Sequence, residues 1–256
     1  MGARPSKSER HRRIIAELKA NPTVRISTLA QEFAVSTETV RRDIDELSER
    51  GLVLRTYGGA AVTSMSREPA LEVRGDLMVA ERQQIARLAV ARIEPGEVIM
   101  LDSGATTVHL ARRLAIEGQE ATVITNGIGI LAALADCARI RVILCPGTYV
   151  RGEQGVYGPE TADFLRRFHA NRAVIGSGGI TVDGACDVDS AAVWVKRAML
   201  ERADRRCLML DHAKFDQRLL EVVAPLSDLD ELLTDAPPPP KLAAALKRAG
   251  VEVLVA

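Results

Sequence analysis

Hydroxyl and guanidinium groups crowd together in Ser36-Thr37-Glu38-Thr39-Val40-Arg41-Arg42. Near the start of a helix, such groups donate to phosphate oxygens and to acceptor edges of bases in a major groove. Val40, Ile44 and Leu47 recur at helical spacing and form one apolar face. Glu38 and Arg42 then point away from that face, with Thr39 and Arg41 at its edges. Ser36 or Thr37 can cap the first free N–H groups, and Gly51 can close the helix. A charged helix face on its own is usually solvated surface, so its neighbours decide the matter.

A second constellation is Asp102-Ser103-Gly104-Ala105-Thr106-Thr107. Gly104 lets the backbone bend closely, Thr106 and Thr107 offer hydroxyls, and a following helix presents free N–H groups. That suits a phosphate or carboxylate, although an ordinary capped strand-to-helix turn has the same composition. It is not a Walker loop, because the Gly-Lys-Ser/Thr ending is missing, and Gly176-Ser177-Gly178-Gly179 is no dinucleotide fingerprint. No nucleotide cofactor is expected. Cys137, Cys145, Cys186 and Cys207 are scattered, as are His11, His109, His169 and His212, so no metal site is expected either. The thiols read as reduced, mostly buried groups of a cytoplasmic protein. Asp183, Asp187 or Asp189 with Lys214 would supply base and electrophile for an aldose–ketose isomerase, and a CoA-transferase-like reaction is a related alternative. However, Asp183-Gly184 reads first as a turn, and no second motif fixes a base against a substrate carbon. No catalytic residue is assigned, and the chain is not expected to be an enzyme.

The elements around the first constellation favour DNA. Arg10 to Asn21 forms an amphipathic helix with Ile14, Ile15 and Leu18 inside, and Pro22 fits its end. A short helix from Ser27 carries Leu29, Ala30 and Phe33, and Ala34-Val35 turns tightly into Ser36. This is the helix-turn-helix arrangement. Leu52 to Tyr57 reads as a strand, Gly58-Gly59 as a turn and Ala60 to Val62 as a return strand. Together they make a wing on which Arg55, Tyr57 and Gly58 approach a phosphate backbone. Arg4, Lys7, Arg10, Arg12 and Arg13 face only Glu9, a local basic flank in a chain balanced at 34 basic and 34 acidic residues. Asp45, Glu46 and Glu49 make the far half of the recognition helix acidic, so only Ser36 to Arg42 should read double-stranded DNA. Aromatic content of 3% argues against a base-stacking platform.

The elements around the second constellation make a larger domain. Residues 1–62 form the winged helix-turn-helix, 63–78 a polar linker and 79–256 an α/β domain. A helix over Val79 to Arg92 is followed by strands at Val98–Leu101, Val123–Ile124, Val142–Leu144, Ala173–Ile175 and Cys207–Leu210, each running into a small polar turn. Helices at His109–Ile116 and Ile128–Asp136 separate some of them. Such alternation predicts a Rossmann-like, mainly parallel sheet with a crevice at the carboxyl ends of its strands. The apolar run Ile128 to Ala135 is too short to span a bilayer, and the charged start lacks a signal peptide's apolar segment, so no membrane is expected.

These motifs resemble the DeoR family. Thr39-Val40-Arg41-Arg42-Asp43 with the Gly58-Gly59 wing carries the first part. Asp102 to Thr107, Val123 to Asn126, Tyr157-Gly158-Pro159, Val195 to Met199, Asp211 to Phe215 and Thr234-Asp235 carry the second. The resemblance implies a repressor whose sensor domain shares its fold with ribose-5-phosphate isomerase and CoA transferases. It also implies that a phosphorylated sugar or related metabolite binds the crevice and alters affinity for operator DNA. Ser103, Gly104, Thr106 and Thr107 would hold the phosphate, Thr125 and Asn126 would line the pocket, and Lys214 would add positive charge. Asp102, Ala105, Gly147 and Gly176 complete the expected lining. A short helix-turn-helix site also leads one to expect a homo-oligomer. Two departures stand out: Cys145-Pro146-Gly147 replaces a usual Gly-Gly pair, and Ala191-Ala192-Val193-Trp194 replaces usual glutamates. Trp194 reads as a core residue or a pocket wall.

Overall fold

The computed structural model describes residues 5–20, 23–49, 53–56, 58–62, 71, 74, 78–117 and 120–256. Arg4, Asn21, Pro22, Gly51, Leu52, Tyr57 and most of the expected linker 63–78 lie outside those residues. The chain divides into two compact units, Met1–Leu77 and Met78–Ala256.

The first unit contains α1 (Lys7–Ala20), β1 (Thr23–Arg25), α2 (Ile26–Phe33), α3 (Thr37–Glu49), β2 (Val53–Thr56) and β3 (Gly59–Val62). Helical spacing places Val40, Ile44 and Leu47 on one face, and all three are fully buried. They pack with Ile14 and Leu18 of α1 and with Leu29 and Phe33 of α2, while Ile15 is only partly buried. Each such side chain contributes about 1.5–3 kcal/mol on burial, which lets a small core hold three helices. α2 ends at Ala34 in the left-handed region (φ 51), where the Val35 N–H donates to Ala30 O at 3.1 Å. The chain is thereby turned into Ser36. The wing gains a strand that no sequence period marks. β1 pairs antiparallel with β3, giving the order β1-β3-β2. A Cβ on Gly59 would sit 2.0 Å from Val24 O, so that pairing requires glycine.

The second unit opens with α4 (Val79–Val90), β4 (Val98–Leu101), α5 (Ala105–Glu117), β5 (Ala121–Thr125), α6 (Ile128–Leu134) and β6 (Ile140–Leu144). Next come β7 (Thr148–Val150), β8 (Gly155–Tyr157), α7 (Pro159–Leu165), β9 (Ala170–Ile175), β10 (Gly179–Thr181) and β11 (Gly184–Asp187). The unit closes with α8 (Ser190–Leu200), β12 (Ala203–Met209), β13 (Glu221–Ala224), β14 (Glu231–Thr234), α9 (Pro240–Ala249) and β15 (Glu252–Val255). Seven strands form one sheet in the order β15-β14-β12-β9-β4-β5-β6, and every pairing is parallel. Alternate residues feed two cores. Ile99, Leu101, Val123, Val174 and Met209 pack with α4, α5 and α6. Met100, Ile124, Ile175, Leu208 and Leu232 pack with α7, α8 and α9. Burial on both faces is why these strands are continuously apolar.

From β4 the sheet grows one way through β5 and β6, and from β9 the other way through β12, β14 and β15. The boundary between β4 and β9 is therefore the topological switch point, where α/β sheets hold ligands. The sequence marks five of the seven strands. β14 escapes because it has four residues and opens on a buried acid, Glu231, whose carboxylate is met by Arg92, Arg172 and Arg205. β15 escapes as a short edge strand with exposed ends. β10, β11 and β13 form a small antiparallel sheet, and β7 pairs with β8.

Candidate functional site

In the first unit, Ser36 Oγ accepts the Thr39 N–H at 3.1 Å and lies 2.9 Å from Thr39 Oγ1. Ser36 is thus the residue that caps α3, whose helical residues begin at Thr37. Glu38 pairs with Arg41 at 2.7 Å and with Arg42 at 3.3 Å, and the Arg42 side chain is 80% exposed. The acidic remainder of α3 has structural partners. Buried Asp43 receives Arg10 Nε at 2.6 Å and Nη2 at 2.9 Å, with His11 Nε2 at 3.2 Å. Glu46 pairs with Lys7, and Asp45 with Arg55 of the wing at 3.0 Å. The basic flank is therefore narrower than its sequence suggests. Lys7 and Arg10 serve α3, and the Asp43 hydrogen bond holds the Arg10 guanidinium above its ordinary pKa. Arg12 and Arg13 stay on the outer side of α1, each 3.7 Å from Glu9.

In the second unit the switch point is built around Asp102. Its Oδ1 accepts the Gly176 N–H at 3.0 Å, and its Oδ2 lies 3.4 Å from Lys196 Nζ. Lys196, on the inner face of α8, also pairs with Asp187 at the end of β11. Burial raises the Asp102 pKa, opposed by Lys196 and by the Gly176 N–H. Burial also works against charge on Lys196, but Asp187 and Asp102 outweigh it and hold the ammonium above its ordinary range. Burial likewise pushes the nearby Tyr157 hydroxyl up. Asp102 and Asp187 thus share the Lys196 ammonium, so its charge is already matched within the floor.

Most other candidates are drawn together as struts. Ser103 N–H donates to Asn126 Oδ1 at 3.0 Å, and Ser103 Oγ donates to Glu153 O at 2.6 Å. Asn126 Nδ2 donates to Val156 O, and Thr125 Oγ1 donates to Leu101 O while accepting the Gly127 N–H. Thr107 Oγ1 is shared between Asp102 O and Gly104 O at 2.8 and 3.0 Å. These bonds run past Thr106, which sits in the first turn of α5. There the N–H groups of Ala105, Thr106 and Thr107 precede the first intrahelical bonds. Lys214 is buried in the short 3-10 turn 212–214 after β12. Gly147 follows the edge strand β6 (φ 147), where a Cβ would lie 2.2 Å from Thr161 Oγ1. Its missing side chain is accounted for by packing.

Residues 10–66 match the model of the DeoR-like helix-turn-helix domain, and residues 78–236 that of the DeoR C terminal sensor domain. The chain belongs to the DeoR family. It is 32% identical over 233 residues to a glycerol-3-phosphate regulon repressor of Escherichia coli K12, covering 91% of this chain and 92% of that one. It is 30% identical to a putative aga operon transcriptional repressor of Escherichia coli O157:H7, covering 97% and 93%. Among solved structures, Pyrococcus horikoshii translation initiation factor eIF-2B matches at TM-score 0.50 and 14% identity, covering 90% of this chain and 82% of that one. That likeness concerns the fold alone.

As a DeoR-family chain this protein is a DNA-binding transcriptional regulator and not an enzyme. The carboxylates considered for catalysis have other work. Asp183 lies in the β10–β11 turn and pairs with Arg218, Asp187 holds Lys196, and Asp189 caps α8. Lys196 is the switch-point residue that the Val195 to Met199 motif contains but to which the sequence assigns no role. Its signal was a single cation among Ala192, Val193, Val195 and Met199, on a helix face otherwise apolar. Trp194 is neither core nor strut: the helix period turns it outward, 58% exposed.

Proposed function

We propose that this DeoR-family regulator represses an operon of sugar or related carbon metabolism and is released from its operator by a phosphorylated metabolite. The observation that carries the reading is the pairing of a capped, arginine-bearing α3 with a sheet whose switch point opens on the Asp102–Thr107 turn. Ser36, Thr37, Glu38, Thr39, Arg41 and Arg42 face the groove, with Arg55 and Gly58 of the wing on the backbone; Tyr57, outside the described residues, keeps the backbone role expected from the sequence. The anion sits at the first turn of α5, on Gly104, Ala105 and Thr106, because free helix N–H groups lie there while the Lys196 charge in the neighbouring floor is already taken by Asp102 and Asp187. Ser103, Thr107, Thr125, Asn126 and Gly176 keep that turn in shape, Gly147 supports the outer wall, and Lys214 adds the opposing charge. Relatives named as repressors of a glycerol-3-phosphate regulon and an aga operon support this class of effector. A helix-turn-helix reads a short half-site, so the protein acts in the cytoplasm as a homo-oligomer. Among the described residues no helix is long and apolar enough to cross a membrane.

The test is a panel of phosphorylated metabolites screened for release of the purified protein from its own promoter DNA. One or more should release the wild type. Thr106→Val should weaken that response while leaving operator affinity in place. Release by unphosphorylated sugars alone, or an unaltered response in Thr106→Val, would remove the phosphate assignment.

A further inference from the structure

The chain has one tryptophan, and Trp194 lies on the outer side of α8 with more than half its surface in solvent. Val193, Lys196 and Leu200 turn inward, whereas Ser190, Ala191, Trp194 and Glu201 turn outward. Alongside α8 runs β13, where Val222 is 43% exposed, and Leu220 just before the strand is 61% exposed. β13 is an outer strand of the β10-β11-β13 sheet. Arg197, one turn after Trp194, donates to the carbonyls of Val222 and Val223. Those bonds cover the strand edge, so this face is not built to add a strand. Beside it lies a surface groove of about 340 Å³, whose lining includes Arg197, Glu201, Arg206, Val222 and Asp228.

We propose that this face, centred on Trp194, is where a second copy of the chain docks. The proposal rests on the operator-binding reading above, which requires paired copies, and adds where they meet. Charge selects the occupant. Arg197 and Arg206 are matched by Glu201 and Asp228 around the groove. DNA or an anionic membrane would need an excess of positive charge, and a basic peptide the reverse. A twofold-related copy of the same surface presents both signs, as an isologous contact requires. An aromatic anchor with aliphatic neighbours and a mixed polar rim also has the composition of an interface core.

The sole tryptophan makes the test direct. Full-length wild type is followed by sedimentation velocity across a dilution series, with Trp194 emission and iodide quenching read on the same samples. Emission should be blue-shifted and shielded where the protein is associated, then red-shifted and quenchable as it dissociates. Trp194→Glu should raise the dissociation constant by about thirtyfold or more, the loss expected of a central anchor. Leu220→Glu should act in the same direction, with both variants keeping the wild-type circular dichroism. An associated wild type with quenchable Trp194, and variants of unchanged stoichiometry, would place the contact elsewhere and overturn this face alone. A shielded Trp194 in a monomer would overturn it in favour of cover from the same chain. Monomers even on operator DNA would remove the paired-copy reading as well.

Discussion

Arg42 and Asp43 are neighbours in sequence with opposite fates. The Arg42 side chain pairs with Glu38 on the solvent side of α3. Asp43 is 2% exposed and fastens α1 to α3 through Arg10 and His11. Replacing each should therefore separate function from stability. Arg42→Ala is predicted to weaken specific operator binding by about 1–3 kcal/mol, or roughly 5- to 150-fold, and to leave effector binding and stability unchanged. Unaltered operator affinity in a gel-shift titration would sink the assignment of Arg42 to the groove. Asp43→Ala strands the Arg10 guanidinium and removes the partner of His11 Nε2 beside a closed core, and losing one side of a buried pair costs about 3–5 kcal/mol. Chemical denaturation followed by circular dichroism should show that loss. The sequence made Arg42 legible, because its place on the helical wheel follows from spacing. It did not show that Asp43 was buried, since a carboxylate beside an arginine reads as surface until its partner from α1 is known. The Lys7 and Arg10 pairs were hidden for the same reason.

Elements were legible in proportion to how many of their residues face a core. β4, β9 and β12 bury both faces and stand out as apolar runs, and α3 buries a regular stripe. β1 has three residues, and β14 hides a carboxylate at its first position, so neither leaves a period to read. A pH prediction also belongs at this scale. His109 sits on α5, buried against α4, and desolvation with help from Arg112 and Arg82 lowers its pKa to about 4. Above about pH 6.5 the imidazole is neutral folded and unfolded, and α5 packs at full strength. As pH falls below that value, the unfolded chain takes a proton that the fold refuses. Stability should fall until about pH 4, by on the order of 3 kcal/mol. Glu231 adds to that decline only at its acid end, below about pH 4.5. Burial alone would raise its pKa, but Arg92, Cys207 and Arg172 outweigh it and bring it to about 2, so its loss begins near the ordinary carboxylate range. Urea midpoints between pH 7 and pH 4.5 should slope downward in wild type and flatten in His109→Gln. Parallel slopes would mean that another group carries the effect.

At the scale of the whole chain, the two units have separate cores, one around Phe33 and Ile44 and a larger pair on either side of the parallel sheet. A small core exposes less surface on melting and yields a smaller enthalpy than a large one. A chain with two such cores is not expected to unfold in one all-or-none step. Scanning calorimetry of the full-length protein should therefore resolve a minor and a major transition, and substitutions assign them. Asp43→Ala should lower only the minor one. Glu231→Gln should lower only the major one, because it removes the charge that Arg92, Arg172 and Arg205 share under β14. A metabolite bound at the α5 turn should raise the major transition by mass action, adding about 2.7 kcal/mol at a hundredfold excess over its dissociation constant. Operator DNA should raise the minor one. The informative result is the cross-effect, since a regulator must let one ligand change the affinity for the other, and that coupling is reciprocal. Metabolite and DNA added together should stabilise the chain by less than the sum of their separate effects. Strict additivity, with each ligand moving only its own transition, would mean that the two units share a chain without sharing a signal.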